Sequence, residues 1–92
     1  MPDTDSLLEE DVALDQPWNV VVYDDPVNLM DYVTWVFMKV LSLPKPVAEK
    51  RMMEVHEQGR SVVWNGGREE AELHTQQLQA HQLQAKMEKP GE

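Results

Sequence analysis

The sequence predicts an α+β fold: a three-stranded, mainly antiparallel sheet carrying three helices on one face, in the order β-α-α-β-α-β. Three observations lead there. The long apolar stripes recur at helical spacing, whereas the strand-like runs are few and short. Turn and breaker residues separate the first five segments, and the sixth is marked by a change from helical period to alternation. At 92 residues the chain is one domain with a small core, which a layer of helices on one sheet face can enclose.

Residues 1–16 contain six acids and no base, with little apolar periodicity. They read as a flexible acidic tail preceding a domain at 17–88. Trp18 to Tyr23 is aromatic and β-branched and reads as a strand, with Trp18, Val20 and Val22 on one face. Two carboxylates and Pro26 end it, because proline excludes both a continued central strand and a helix at the preceding residue. A helix follows at 29–41, with Leu29, Met30, Val33, Val36, Phe37, Val40 and Leu41 as a wide stripe. Asn28 is placed to cap it, and Asp31 sits where a capping-box acid belongs.

Ser42 to Pro46 breaks that helix, and Pro46 suits the first turn of the next one. This second helix runs to about Glu57, with Ala48 or Val47, Met52 and Val55 inward, and Gly59 as its C-cap. Glu49, Lys50, Glu54 and Glu57 face out. Ser61 to Trp64 reads as a strand, and Asn65-Gly66-Gly67 as a turn. Arg68 to Ala80 is a weaker helix with Ala71, His74, Thr75 and Leu78 on one face. His81 to Glu88 alternates apolar with polar residues, the pattern of a half-buried strand, and residues 89–92 form a loose tail.

Eight basic and 17 acidic side chains give a net charge of −9. Such a field repels nucleic acid and anionic membrane surfaces and favours cationic partners. No stretch approaches the apolar length of a membrane span, and no export signal is evident, so a cytoplasmic, monomeric protein is expected. The absence of cysteine removes disulfides, thiolate metal sites and cysteine nucleophiles.

The chemistry-bearing residues fall into two stretches. One is the strand-to-helix turn Tyr23-Asp24-Asp25-Pro26-Val27-Asn28-Leu29-Met30; the other is Met52-Met53-Glu54-Val55-His56-Glu57-Gln58-Gly59. Each has an ordinary explanation. Aspartates favour turns by bonding their own backbone, and a histidine at a helix end complements the dipole. Asp24, Asp25 and His56 are also a conceivable metal or hydrolytic set, though no zinc motif supports it and no cofactor is expected. The alternative expectation is that the two stretches meet and form one site.

In these two stretches the sequence resembles the ClpS adaptors, which deliver N-end-rule substrates to the Clp AAA+ unfoldase and protease. The resemblance extends over residues 17–88. It implies a non-enzymatic adaptor that binds proteins with N-terminal Leu, Phe, Tyr or Trp. It assigns the amine to Asp24, Asp25 and His56, and the apolar pocket to Asn28, Met30, Val33, Met52, Val55 and Leu83. Glu69 and His74 match positions on the surface that docks the N-terminal domain of a ClpC- or ClpA-type unfoldase. The tail of residues 1–16 corresponds to a segment that assists delivery. Asp24 stands where the family usually has Asn, and His74 where a lysine is often found. The Asp24-Asp25-Pro26 and Asn28-Leu29-Met30 runs are similar to the actinobacterial branch. A competing reading is an interaction domain built like the ribosomal stalk C-terminal domain, although this acidic chain lacks the lysine-rich helix face expected of one.

Overall fold

The computed structural model describes residues 17–90. The proposed acidic tail at 1–16 and the last two residues lie outside the described residues. The elements are β1 (Trp18–Tyr23), α1 (Met30–Leu41), α2 (Lys45–Gln58), β2 (Arg60–Gly66), α3 (Arg68–Ala80) and β3 (Gln84–Glu88). The sheet order is β2-β1-β3, and both pairings are antiparallel. The predicted fold class is therefore the observed one. No helix among the described residues is long and apolar enough to cross a membrane.

β1 is central because it is the most apolar strand: Val20, Val21 and Val22 are all fully or almost fully buried. Val20 and Val22 face the helices and join one core with Val33, Val36, Phe37 and Leu41 of α1. Ala48, Met52 and Val55 of α2, Val63 of β2, Ala71 and Leu78 of α3, and Leu83 and Ala85 complete it. Val21 points to the helix-free face, flanked by its cross-strand partners Val62 and Lys86. A bulge opposite Val20 and Val21 inserts Val63 as the extra residue of β2. On the helix-free face, the Tyr23 hydroxyl donates to Glu88, which also accepts from Arg60 at 2.8 Å. The Arg60 guanidinium and Lys86 ammonium lie over the Tyr23 ring, at 5.2 and 5.6 Å. The Tyr23 hydrogen bond holds the Glu88 carboxyl below its ordinary range, with help from Arg60. The same bond, and then burial, raises the Tyr23 phenol.

Several boundaries differ from expectation. α1 begins at Met30, with Leu29 at the N-cap and no side-chain cap. Asn28 and Asp31 do not form a capping box, because Asn28 lies one residue too early and its amide crosses to the Gln82 carbonyl at 2.9 Å. Leu29, placed by periodicity in the apolar stripe, is 76 % exposed. Glu54, expected to face solvent, is half-buried and accepts from Ser61 at 2.7 Å and Arg51 at 2.9 Å. Those two bonds, the Ser61 bond first, lower its carboxyl. Residues 81–83 form a turn rather than the start of β3. Gly59 caps α2 in the left-handed region, as expected.

Asn65 and Gly66 extend β2 rather than turning, because they pair with Asn19 and Trp18. Gly66 is needed there for space. A Cβ at this position would come within 2.4 Å of the Trp64 indole, which in turn packs edge-on against His74 with ring centroids 4.8 Å apart. Gly66→Ala should therefore displace Trp64 and cost about 1–3 kcal/mol. The urea midpoint measures this, and an unchanged midpoint would mean that the indole has room to move.

Candidate functional site

The acidic turn and the end of α2 are joined through the backbone. Tyr23 ends β1, and the next amide, Asp24 N–H, donates to the Gly59 carbonyl at 3.0 Å. Gly59 in turn donates to Val55 at 3.0 Å, closing α2. Because Tyr23 also pairs with Arg60, the strand end and the helix end are fixed side by side. His56, exposed on the last turn of α2, is thereby brought to the acidic turn.

Asp25 is half-buried and partly engaged. One carboxylate oxygen accepts from Val27 N–H at 2.9 Å, and the other from the Gln84 amide at 3.3 Å. The first of these is the local bond that makes aspartate a turn former. The turn is thus self-supporting, and Gln84, which sequence reasoning missed, ties it to β3. Asp24 is exposed.

A cavity of about 650 Å³ opens at this turn. Asp24, Asp25 and His56 line it together with Asn28, Met30, Val33, Met52, Val55 and Leu83, so all nine residues singled out in the sequence surround one space. Val33, Met52, Val55 and Leu83 are buried and make its interior apolar, while Met30 is 39 % exposed near the surface. Val22, Tyr23, Pro26, Leu29 and Asp31 complete the lining and were not anticipated. The spacing of Asp31 predicts a capping residue, but it lines the cavity instead. Its available signal was its place one residue after Met30.

The lining includes three aspartates and no lysine or arginine. Its chemistry suits a ligand with a cationic head and an apolar body. The carboxylates can accept from an ammonium, and the buried side chains exclude water from whatever enters behind it.

Glu69 and His74 lie apart from this cavity on α3. Glu69 is exposed in its first turn, and His74 is half-buried against Trp64 with its Nδ1 buried and unpartnered.

Residues 13–90 match the family model described as ATP-dependent Clp protease adaptor protein ClpS. The fold and the matched segment define an adaptor of an ATP-dependent protease. The chain belongs to the ClpS family. It is 43 % identical over 90 residues to the ATP-dependent Clp protease adapter protein ClpS of Rhodococcus jostii (strain RHA1), covering 98 % of this chain and 80 % of that protein. The corresponding protein of Mycobacterium marinum is 47 % identical over 76 residues, covering 83 % of this chain and 75 % of the other. Both relatives are actinobacterial. Among solved structures, that of Agrobacterium tumefaciens ClpS2 bound to L-phenylalaninamide matches with a TM-score of 0.75 at 21 % identity. The match covers 80 % of this chain and 96 % of that one and establishes the shared fold.

Proposed function

We propose that this ClpS-family chain binds polypeptides through a free N-terminal amine and a bulky apolar first side chain, Leu, Phe, Tyr or Trp. It then presents them to the N-terminal domain of a ClpC- or ClpA-type unfoldase. The observation that carries the reading is the union of Asp24, Asp25 and His56 with an apolar interior in one cavity. The α-ammonium donates to the two carboxylates and the His56 imidazole, while the side chain enters between Met30, Val33, Met52, Val55 and Leu83. Capture of an N-terminal amine is a recurrent peptide-recognition mode. Burying Leu or Phe there contributes about 1.5–3 kcal/mol. The ligand of the A. tumefaciens relative, phenylalaninamide, joins a free amine to a benzyl group and supports the same division of labour.

Asp24 and Asp25 only accept hydrogen bonds when ionised. Any donation to the bound peptide backbone therefore comes from other groups. Glu69 and His74 are assigned to unfoldase docking, with His74 held by Trp64 rather than free to extend as a lysine would be. The direct test is a titration with peptides that differ only in the first residue. Binding of Phe- and Leu-initiated peptides, and none of Ala- or Asp-initiated ones, is expected. Equal binding of all four would remove the basis of the reading.

Met52 sits one turn before His56 and is 8 % exposed against the cavity. Replacing it with Ala enlarges the cavity and leaves the amine-holding groups in place. Affinity for Leu and Phe should fall by about 1–3 kcal/mol through lost contacts. Affinity for β-branched Ile should rise, because the wall that excludes its second branch is gone. Fluorescence polarisation with Leu- and Ile-initiated peptides measures both changes. A uniform loss for every peptide would make Met52 a core residue only.

A further inference from the structure

We propose that Tyr32 and Asn28 are positioning residues, which hold the turn between α3 and β3 so that Leu83 forms a fixed wall of the cavity. The inference rests on the peptide-binding reading and adds to it the support of one wall. The turn reverses the chain at Gln82, whose φ of 72° is left-handed. Residues with a Cβ enter that region at a cost and stay there only when their surroundings hold them. The reversal returns Leu83, 4 % exposed, to the cavity.

The amide side of the turn is satisfied by α3 itself. His81 N–H donates to Leu78 at 3.1 Å, Gln82 N–H to Gln79 at 2.9 Å, and Leu83 N–H to Leu78 at 3.1 Å. The carbonyl side is satisfied from α1 and the residue just before its cap. The Tyr32 hydroxyl donates to the His81 carbonyl at 2.7 Å, and the Asn28 amide to the Gln82 carbonyl at 2.9 Å. Two consecutive carbonyls are thus held by side chains about fifty residues earlier in the chain. Trp35 braces the arrangement from outside, stacked on Tyr32 at 6.0 Å and edge-on to the His81 ring at 6.2 Å. This gives the half-exposed indole a structural role.

Tyr32 does not line the cavity, so any effect of its hydroxyl on peptide binding must pass through the turn. Asn28 does line it, but its amide is engaged by Gln82. The engaged atom is the amide nitrogen, so the placement of Leu83 is a role for Asn28 in addition to lining the cavity.

A double-mutant cycle tests this. Tyr32→Phe removes one hydroxyl and keeps the ring that stacks on Trp35. With a fluorescent Phe-initiated peptide, Tyr32→Phe and Asn28→Ala should each weaken binding roughly three- to ten-fold, the range of one lost hydrogen bond. In a Leu83→Ala background neither should weaken it further, because the wall they position is gone. Losses that add to that of Leu83→Ala, or a Tyr32→Phe protein that binds like wild type, would overturn the inference. If the wild-type protein itself ignores the Phe-initiated peptide, the peptide-binding reading fails and takes this inference with it.

Discussion

Acetylating the α-amine of a Phe-initiated peptide should abolish most of its affinity for this protein. The acetyl group removes the positive charge and two donors, and it adds bulk where the amine would meet Asp24, Asp25 and His56. The apolar side chain is unchanged, so its contribution to burial persists. The carboxylates are then desolvated by the peptide without a partner. Truncating one member of a buried charged pair costs about 2–5 kcal/mol, which corresponds to about thirty-fold or more in affinity. Isothermal titration with the free and acetylated forms of one peptide measures the difference directly. Affinities within a few-fold of one another would show that the acidic turn does not hold the amine. An acidic patch acting only through long-range attraction would also lose the difference at high salt, whereas a desolvated contact retains most of it.

Phe37→Ala should leave the domain close to unfolding. Phe37 is fully buried in α1 and belongs to the same core as Val20 and Val22. Removing a buried aromatic ring costs about 3–5 kcal/mol, against a total stability of about 5–15 kcal/mol for a domain. Alanine is the best helix former, so the loss cannot be assigned to helix propensity. Met38, the next residue, is 38 % exposed. Met38→Ala should shift stability by no more than about 0.5 kcal/mol. Urea unfolding followed by circular dichroism compares the two variants. Equal midpoints would contradict the placement of Phe37 in the core.

How much of this was legible beforehand depended on whether the governing interaction was local. β1 is legible to the residue, because Trp18–Tyr23 is bounded by proline and aspartate, and the helix expected from Arg68 to about Ala80 carries its own period. The cavity could be anticipated because the acidic turn and the Met-x-x-Val-His run belong to a recognisable family pattern. The misses came from partners far away in sequence. Asn65-Gly66 has turn composition, yet Asn19 and Trp18 give it strand partners. Residues 81–83 keep the alternation of a strand, with Leu83 in and Gln82 out, although the backbone turns at Gln82. Alternation records which side chains are buried, and a tight turn can bury every second residue too. Asn28 resembled a helix cap because nothing nearby showed that the Gln82 carbonyl would be presented to it.

The placement of β1 at the centre of the sheet has a consequence for synthesis on the ribosome. Among the described residues β1 is the first strand made, and it waits for both of its neighbours, β2 at Arg60–Gly66 and β3 at Gln84–Glu88. Until the last of these has left the exit tunnel, Val20 to Val22 lack one full row of backbone partners. The nascent chain can form helices early, since their hydrogen bonds are local, but it cannot close its core in stages. The core closes only once β3 has joined the sheet, because Leu83 and Ala85 belong to it. A stalled or prematurely terminated chain that ends before Gln84 would present the β3 side of a valine-rich strand without partners, the kind of edge on which chains aggregate.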